Sequence, residues 1–176
     1  MNIAAAKICT ATILIVALAK APATVAESMP EIPHQVQPRA DLLIGGQPEP
    51  EHLEQARDAG VRTVINLRSN DDFDDWVPAQ LLRDLGMLYI HIPVGEAGDL
   101  NPDSVAAFDR ALQAKGEDPA LVHCASGNRV GAMYALRAAW IQGEDKEDAL
   151  AIGREHGLGG LEEQVREKLS TIDPSE

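Results

Sequence analysis

The sequence predicts an α/β fold of three layers: a mostly parallel sheet of four or five strands flanked by helices. Three observations carry the prediction. Short aliphatic or β-branched runs alternate with helical patterns along the chain. Glycine and proline punctuate the junctions. Strands joined through helices form right-handed crossovers, which make neighbouring strands parallel and cover the sheet.

The bulk properties narrow the function. A length of 176 residues suits one ordinary domain plus a leader. The net charge of −13 opposes nucleic-acid binding, because phosphates need Lys and Arg to neutralise them. It equally opposes attachment to an anionic membrane surface. Aromatics are only 3% of the chain, so aliphatic residues and alanine must build the core.

The N-terminus reads as a secretory signal peptide, residues 1–26. Lys7 precedes an apolar run from Ile8 to about Ala19. That length fits the roughly 7–15 residues of a signal and falls short of the about 20 needed to span a bilayer. Cleavage is expected after Ala26, leaving an exported chain, periplasmic or secreted, with no stable membrane anchor. Cys9 is then lost and Cys124 becomes the single thiol. A lone cysteine in an exported protein has no internal disulfide partner.

Residues 27–40 carry Pro30, Pro33 and Pro38 and read as an extended lead-in. The domain runs over 41–172. "LLIGGQP" is a short strand with a Gly-Gly and Pro stop. "PEPEHLEQARDAG" is a helix, with Pro50 in its first turn and Gly60 at its C-terminal cap. Val61 to Leu67 is β-branched and reads as a strand, and "RSNDDFDDW" as an acidic loop. "VPAQLLRDLG" is a helix ending at Gly86, and Met87 to Val94 a strand. "GEAGDLNP" is a loop before a helix opened by Pro102 and closed by Gly116. "PALVH" is a buried strand that ends at the thiol. "NRVGAMYALRAAWIQG" is a helix, and two more, about Lys146–His156 and Leu161–Leu169, finish the chain.

The chemistry concentrates in "LVHCASGNRVGAMYAL". A helix that starts just after Gly127 leaves the loop's N–H groups unpaired and pointing inward. With the helix dipole they form an anion site. This field and Arg129 both favour a thiolate at Cys124, the reactive form of the side chain. Arg129 can grip an oxyanion through two nitrogens. His123 is expected to order the loop by hydrogen bonding.

Three stretches, "GGQPEPEHLEQARDAGVRTVINLR", "YIHIPV" and "LVHCASGNRVGAMYAL", resemble the bacterial dual-specificity-phosphatase-like proteins. That group includes the phosphatase-like domain attached to beta-lactamase-like hydrolases and to sulfur-oxidising enzymes. The resemblance covers about Leu42 to Trp140. It implies the cysteine-phosphatase-like three-layer fold and a phosphate-binding loop. Cys124 would be the nucleophile and Arg129 the anion binder, with Ala125, Ser126, Gly127, Asn128 and Val130 around the phosphoryl group. It also points to the loop before Pro102 for a general acid, Asp99 first and Glu96 second. Asp103 fits the first turn of the helix instead.

Two departures stand beside the resemblance. Tyrosine and dual-specificity phosphatases place five residues between Cys and Arg. Here there are four, Ala125 to Asn128, as in the rhodanese loop. The residue after the arginine, usually Ser or Thr, is Val130, and Ser126 is the substitute hydroxyl within the loop. The leading expectation is therefore a cysteine-dependent phosphatase acting through a phosphocysteine on a phosphorylated substrate. The runner-up is a sulfurtransferase that carries a Cys124 persulfide from a sulfur donor. The third reading is a weakly catalytic anion- or partner-binding module.

No metal or other cofactor is expected, since the five histidines lack ligand spacing. Gly157 to Gly160 follows a helix and reads as a helix stop, not a dinucleotide loop. Asp71, Asp72, Asp74 and Asp75 read as a solvated run without calcium-loop spacing. Arg68 either leans over the site or pairs with these aspartates.

Overall fold

Every residue of the Ala120–His123 strand is fully buried, and its alternate side chains enter two separate apolar clusters. Val122 joins Leu42, Ile44, Ile65, Phe108, Met133 and Leu136 on one side. Leu121 joins Leu43, Val64, Leu53 and Leu82 on the other. A strand's side chains alternate across the sheet, so two clusters mean a sheet covered on both faces. A computed structural model describes residues 28–72, 78–95 and 97–171. The expected signal peptide and its cleavage site lie outside the described residues.

The strands are β1 (Val36–Arg39), β2 (Leu42–Gly45), β3 (Thr63–Asn66), β4 (Leu88–His91) and β5 (Ala120–His123). Their order is β1-β2-β5-β3-β4, antiparallel between β1 and β2 and parallel elsewhere. Five strands meet the upper end of the expectation. The fifth is β1, which lies inside the expected lead-in. Its pattern alternates half-buried and exposed, and Pro38 is tolerated because β1 is an edge strand.

The helices are α1 (Pro50–Asp58), α2 (Ala79–Asp84), α3 (Pro102–Lys115), α4 (Asn128–Trp140), α5 (Lys146–Glu155) and α6 (Glu162–Thr171). Leu53 of α1 and Leu82 of α2 cover one sheet face, and residues of α3 to α6 the other. The ends follow local chemistry. The Asn101 carboxamide oxygen caps α3 by accepting the Ser104 N–H at 3.0 Å, and Asp145 caps α5 through the Glu147 and Asp148 N–H groups.

One register fact positions the site. β5 pairs with β2 on one side and β3 on the other, with His123 level with both Gly45 and Asn66. The segments leaving these three strands therefore emerge together at one sheet edge. That edge, at the carboxyl ends of the parallel strands, is where α/β folds bind ligands.

Candidate active site

Cys124 leaves β5 into a loop of four residues, and α4 begins at Asn128. Gly127 takes φ +80°, a left-handed conformation that any side chain would strain. This turn brings its N–H to 3.1 Å from the Cys124 sulfur. Such a contact strengthens as the sulfur becomes negative. The cysteine is 1% exposed, so a substrate must enter the loop's own cradle to reach it.

The Gly-Gly after β2 is the backing of this loop. The Gly45 carbonyl accepts the Cys124 N–H at 3.3 Å, and Gly46 bridges Ser126. A Cβ on Gly46 would stand 2.8 Å from the Ala125 carbonyl oxygen. The sequence reading took this pair for a strand stop; close backbone approach is its stronger reason.

Arg129 sits in the first turn of α4. Its Nη1 donates to Asp72 Oδ2 at 2.5 Å and to the Val94 carbonyl at 2.9 Å. Asp72 Oδ2 also accepts the Ser69 N–H at 3.1 Å, so the carboxylate is itself held. The hydrogen bond from Arg129 keeps the Asp72 carboxyl below the usual carboxylate range. Arg129 Nε and Nη2 have no partner among the described residues. One edge of the guanidinium is anchored and the rest is available to an anion.

A cavity of about 360 Å³ opens beside this arginine. Ser126 and Arg129 line it from the loop, Val94 and Leu100 from the segment after β4, and Leu161 and Gln164 from the start of α6. No carboxylate residue lines it, although the chain is strongly acidic overall.

The expected site residues divide. Cys124, Ser126, Gly127 and Arg129 come together as described, and Ala125 is exposed on the loop. Two expectations need correction. Val130 is fully buried in the core, so its side chain cannot touch a substrate; only its first-turn N–H faces the loop's end of the helix. The Asn128 side chain is likewise committed elsewhere: its Oδ1 accepts the Gly159 N–H at 2.9 Å and the Leu161 N–H at 3.3 Å. Asn128 positions; it does not grip.

Asp99 ends a short 3-10 turn, Ala97–Asp99, and its Oδ2 accepts the Gly95 N–H at 2.7 Å. It thereby braces the segment that carries Leu100 into the cavity wall. Glu96, Asp74 and Asp75 lie outside the described residues. His123 does not order the loop as expected. Neither ring nitrogen has a hydrogen-bond partner among the described residues, and the residue is fully buried. Burial drives its pKa from 6.5 down to about 3, helped by the charge of Arg68, so it is neutral. Arg68 donates from Nη1 to the Gln47 carboxamide at 2.8 Å, while the acidic run sends Asp72 to Arg129 instead.

Residues 37–141 match the family described as Beta-lactamase hydrolase-like protein, phosphatase-like domain. The chain belongs to that family. A beta-lactamase hydrolase-like protein of Xylella fastidiosa is 36% identical over 123 residues, which cover 66% of this chain and 28% of that protein. The chain thus spans little more than a quarter of the curated relative it matches. Among solved structures, a candidate phosphatase of the DUF442 group from Shewanella putrefaciens is 26% identical at a TM-score of 0.57, over 79% of this chain and 92% of that one. TpbA of P. aeruginosa, solved in complex with pTyr, shares the fold at a TM-score of 0.58 and 21% identity, over 89% of this chain and 94% of that one. The fold is that of the phosphatases, and the domain is phosphatase-like.

Proposed function

We propose that this chain is a cysteine-dependent phosphatase that hydrolyses phosphomonoesters through a phosphocysteine. The observation that carries the reading is the pairing of two contacts. The Gly127 N–H lies on the Cys124 sulfur, and one edge of Arg129 is clamped at the mouth of the same loop. The Cys124 thiolate attacks phosphorus, the S–P bond forms and the P–O ester bond breaks. The leaving oxygen takes a proton from an acid, for which Asp99 is the nearest expectation. Water then attacks phosphorus, the S–P bond breaks, and inorganic phosphate leaves with the thiolate restored. Arg129 and the loop N–H groups hold the phosphoryl oxygens throughout, as preorganised donors. Ser126 lines the cavity and supplies the hydroxyl that Val130 lacks for the departing thiolate.

The four-residue spacing keeps a persulfide in view as an outcome of the same assay, although none of the relatives above is a sulfurtransferase. The purified chain and a Cys124→Ser variant are tested for phosphate release from an aryl phosphate and for thiocyanate formation from thiosulfate and cyanide. Phosphate release that vanishes in the variant supports the proposal. Thiocyanate without phosphate release refutes it in favour of sulfur transfer. Neither product, with anion binding retained, makes the domain a binding module. The same proposal has the mature chain act outside the cytoplasm, on the strength of the Ile8–Ala19 run; mass measurement of the secreted N-terminus checks cleavage after Ala26.

A further inference from the structure

The family match ends at residue 141, yet the active-site cavity does not. Leu161 and Gln164 belong to the helical pair that follows, α5 and α6. Three features fix that pair against the loop. Asn128, beside Arg129, accepts the Gly159 and Leu161 N–H groups. Gly131, one turn along α4, is in contact with the α5–α6 connection: a Cβ there would lie 2.0 Å from the Leu158 nitrogen. Gly157 comes near Gly127 itself, since a Cβ on Gly157 would lie 3.3 Å from the Gly127 carbonyl oxygen. The connection is therefore laid along the back of the anion loop, and α6 starts where the cavity needs a wall.

The chemistry of that wall is specific. Leu161 faces Leu100 and Val94 across the cavity as an apolar jaw, and Gln164 adds a carboxamide that can donate and accept. About 360 Å³ is at the small end of ligand sites, which usually run to roughly 300–1,000 Å³. That volume suits a phosphoryl group plus one ring-sized substituent. We propose that Leu161 and Gln164 are the specificity-determining residues of this enzyme. They contact the organic half of the phosphomonoester while Arg129 and the loop hold the phosphoryl half. The inference rests on the phosphatase reading for its substrate, and its test is chosen to be read without turnover.

Binding of inorganic phosphate and of phenylphosphonate, whose P–C bond is not hydrolysed, is measured by calorimetry on the whole chain. The variants are Leu161→Ala, Gln164→Ala and, as a control that does not line the cavity, Glu163→Ala. The wild type is expected to favour phenylphosphonate. Leu161→Ala should cut that preference about ten-fold, the usual discrimination of a few methylene contacts in a pocket. Gln164→Ala should cut it by roughly three-fold. Phosphate affinity should hold within about two-fold in all three variants, which also shows that they fold. The inference is overturned if the wild type has no preference for the phenyl group. It also fails if the preference survives both substitutions, or if phosphate affinity falls in parallel with it. A wild type that binds neither anion refutes the anion cradle and this wall together. Cys124-dependent phosphate release, scored separately, decides the catalytic reading alone.

Discussion

Replacing His123 by leucine should make the fold less sensitive to acid. The imidazole is buried without a hydrogen-bond partner among the described residues, and its pKa falls from 6.5 to about 3. Burial is the main cause, and Arg68 and His91 add to it. The unfolded chain therefore binds a proton that the folded chain refuses. Stability from this group is fully present above pH 6.5 and is lost as pH falls towards 3. The size follows from the unfolded titration at 1.36 kcal/mol per unit: about 1 kcal/mol is lost by roughly pH 5.5, and about 3 kcal/mol by roughly pH 4.5. Leucine has a similar volume, sits among apolar neighbours and leaves no unpaired nitrogen, so His123→Leu should be at least as stable near pH 7.5. Urea unfolding midpoints of both proteins, measured between about pH 7.5 and 5, give the difference directly. The interval lies above the usual carboxylate range, so Asp72 and Glu162, whose folded pKa values are lowered, contribute little to it. A variant that loses stability as steeply as the wild type would refute the buried neutral imidazole.

Other outcomes follow from the site. Asp72→Asn keeps the shape but removes the charge that holds Arg129; kcat/KM for an aryl phosphate should fall about ten-fold, with Asp72→Glu recovering part of it. An unchanged KM and kcat would show that Arg129 needs no anchor. Gly131→Ala puts a methyl group 2.0 Å from the Leu158 nitrogen, where backbone on both sides cannot yield; Tm should fall on the order of 5–10 °C, read by thermal unfolding. Asp99→Asn should slow phosphate release from an ester with a poor leaving group by about 10²-fold and leave a good leaving group nearly unaffected; equal rates for both esters would remove Asp99 as the acid.

Much of the fold was legible because its strands are short, apolar and bounded by glycine, proline and helical periodicity. β1 was not, since VQPR has neither an apolar run nor a clean alternation and gains its strand character from pairing with β2. Cys124, Gly127 and Arg129 were legible because one local segment carries them. Asp72 was not: 57 residues separate it from Arg129, and only the neighbouring of β3 and β5 brings their exit loops together. Val130 was misread because motif position suggested substrate contact, whereas the third residue of this helix turns toward the sheet. Asn128 was misread for a similar reason. Its partners, Gly159 and Leu161, lie in a connection whose glycines looked like a simple helix stop.

The way Arg129 is held has a thermodynamic consequence. Its Nη1 is tethered to Asp72 and the Val94 carbonyl before any ligand arrives, while Nε and Nη2 have no partner among the described residues. The side chain has already given up much of its rotational freedom, so an arriving oxyanion need not supply that ordering. Only a forked, planar cation can be tied down by one prong and still present the others in register. Lysine would carry the same charge, but its single nitrogen would have to choose between the tether and the ligand.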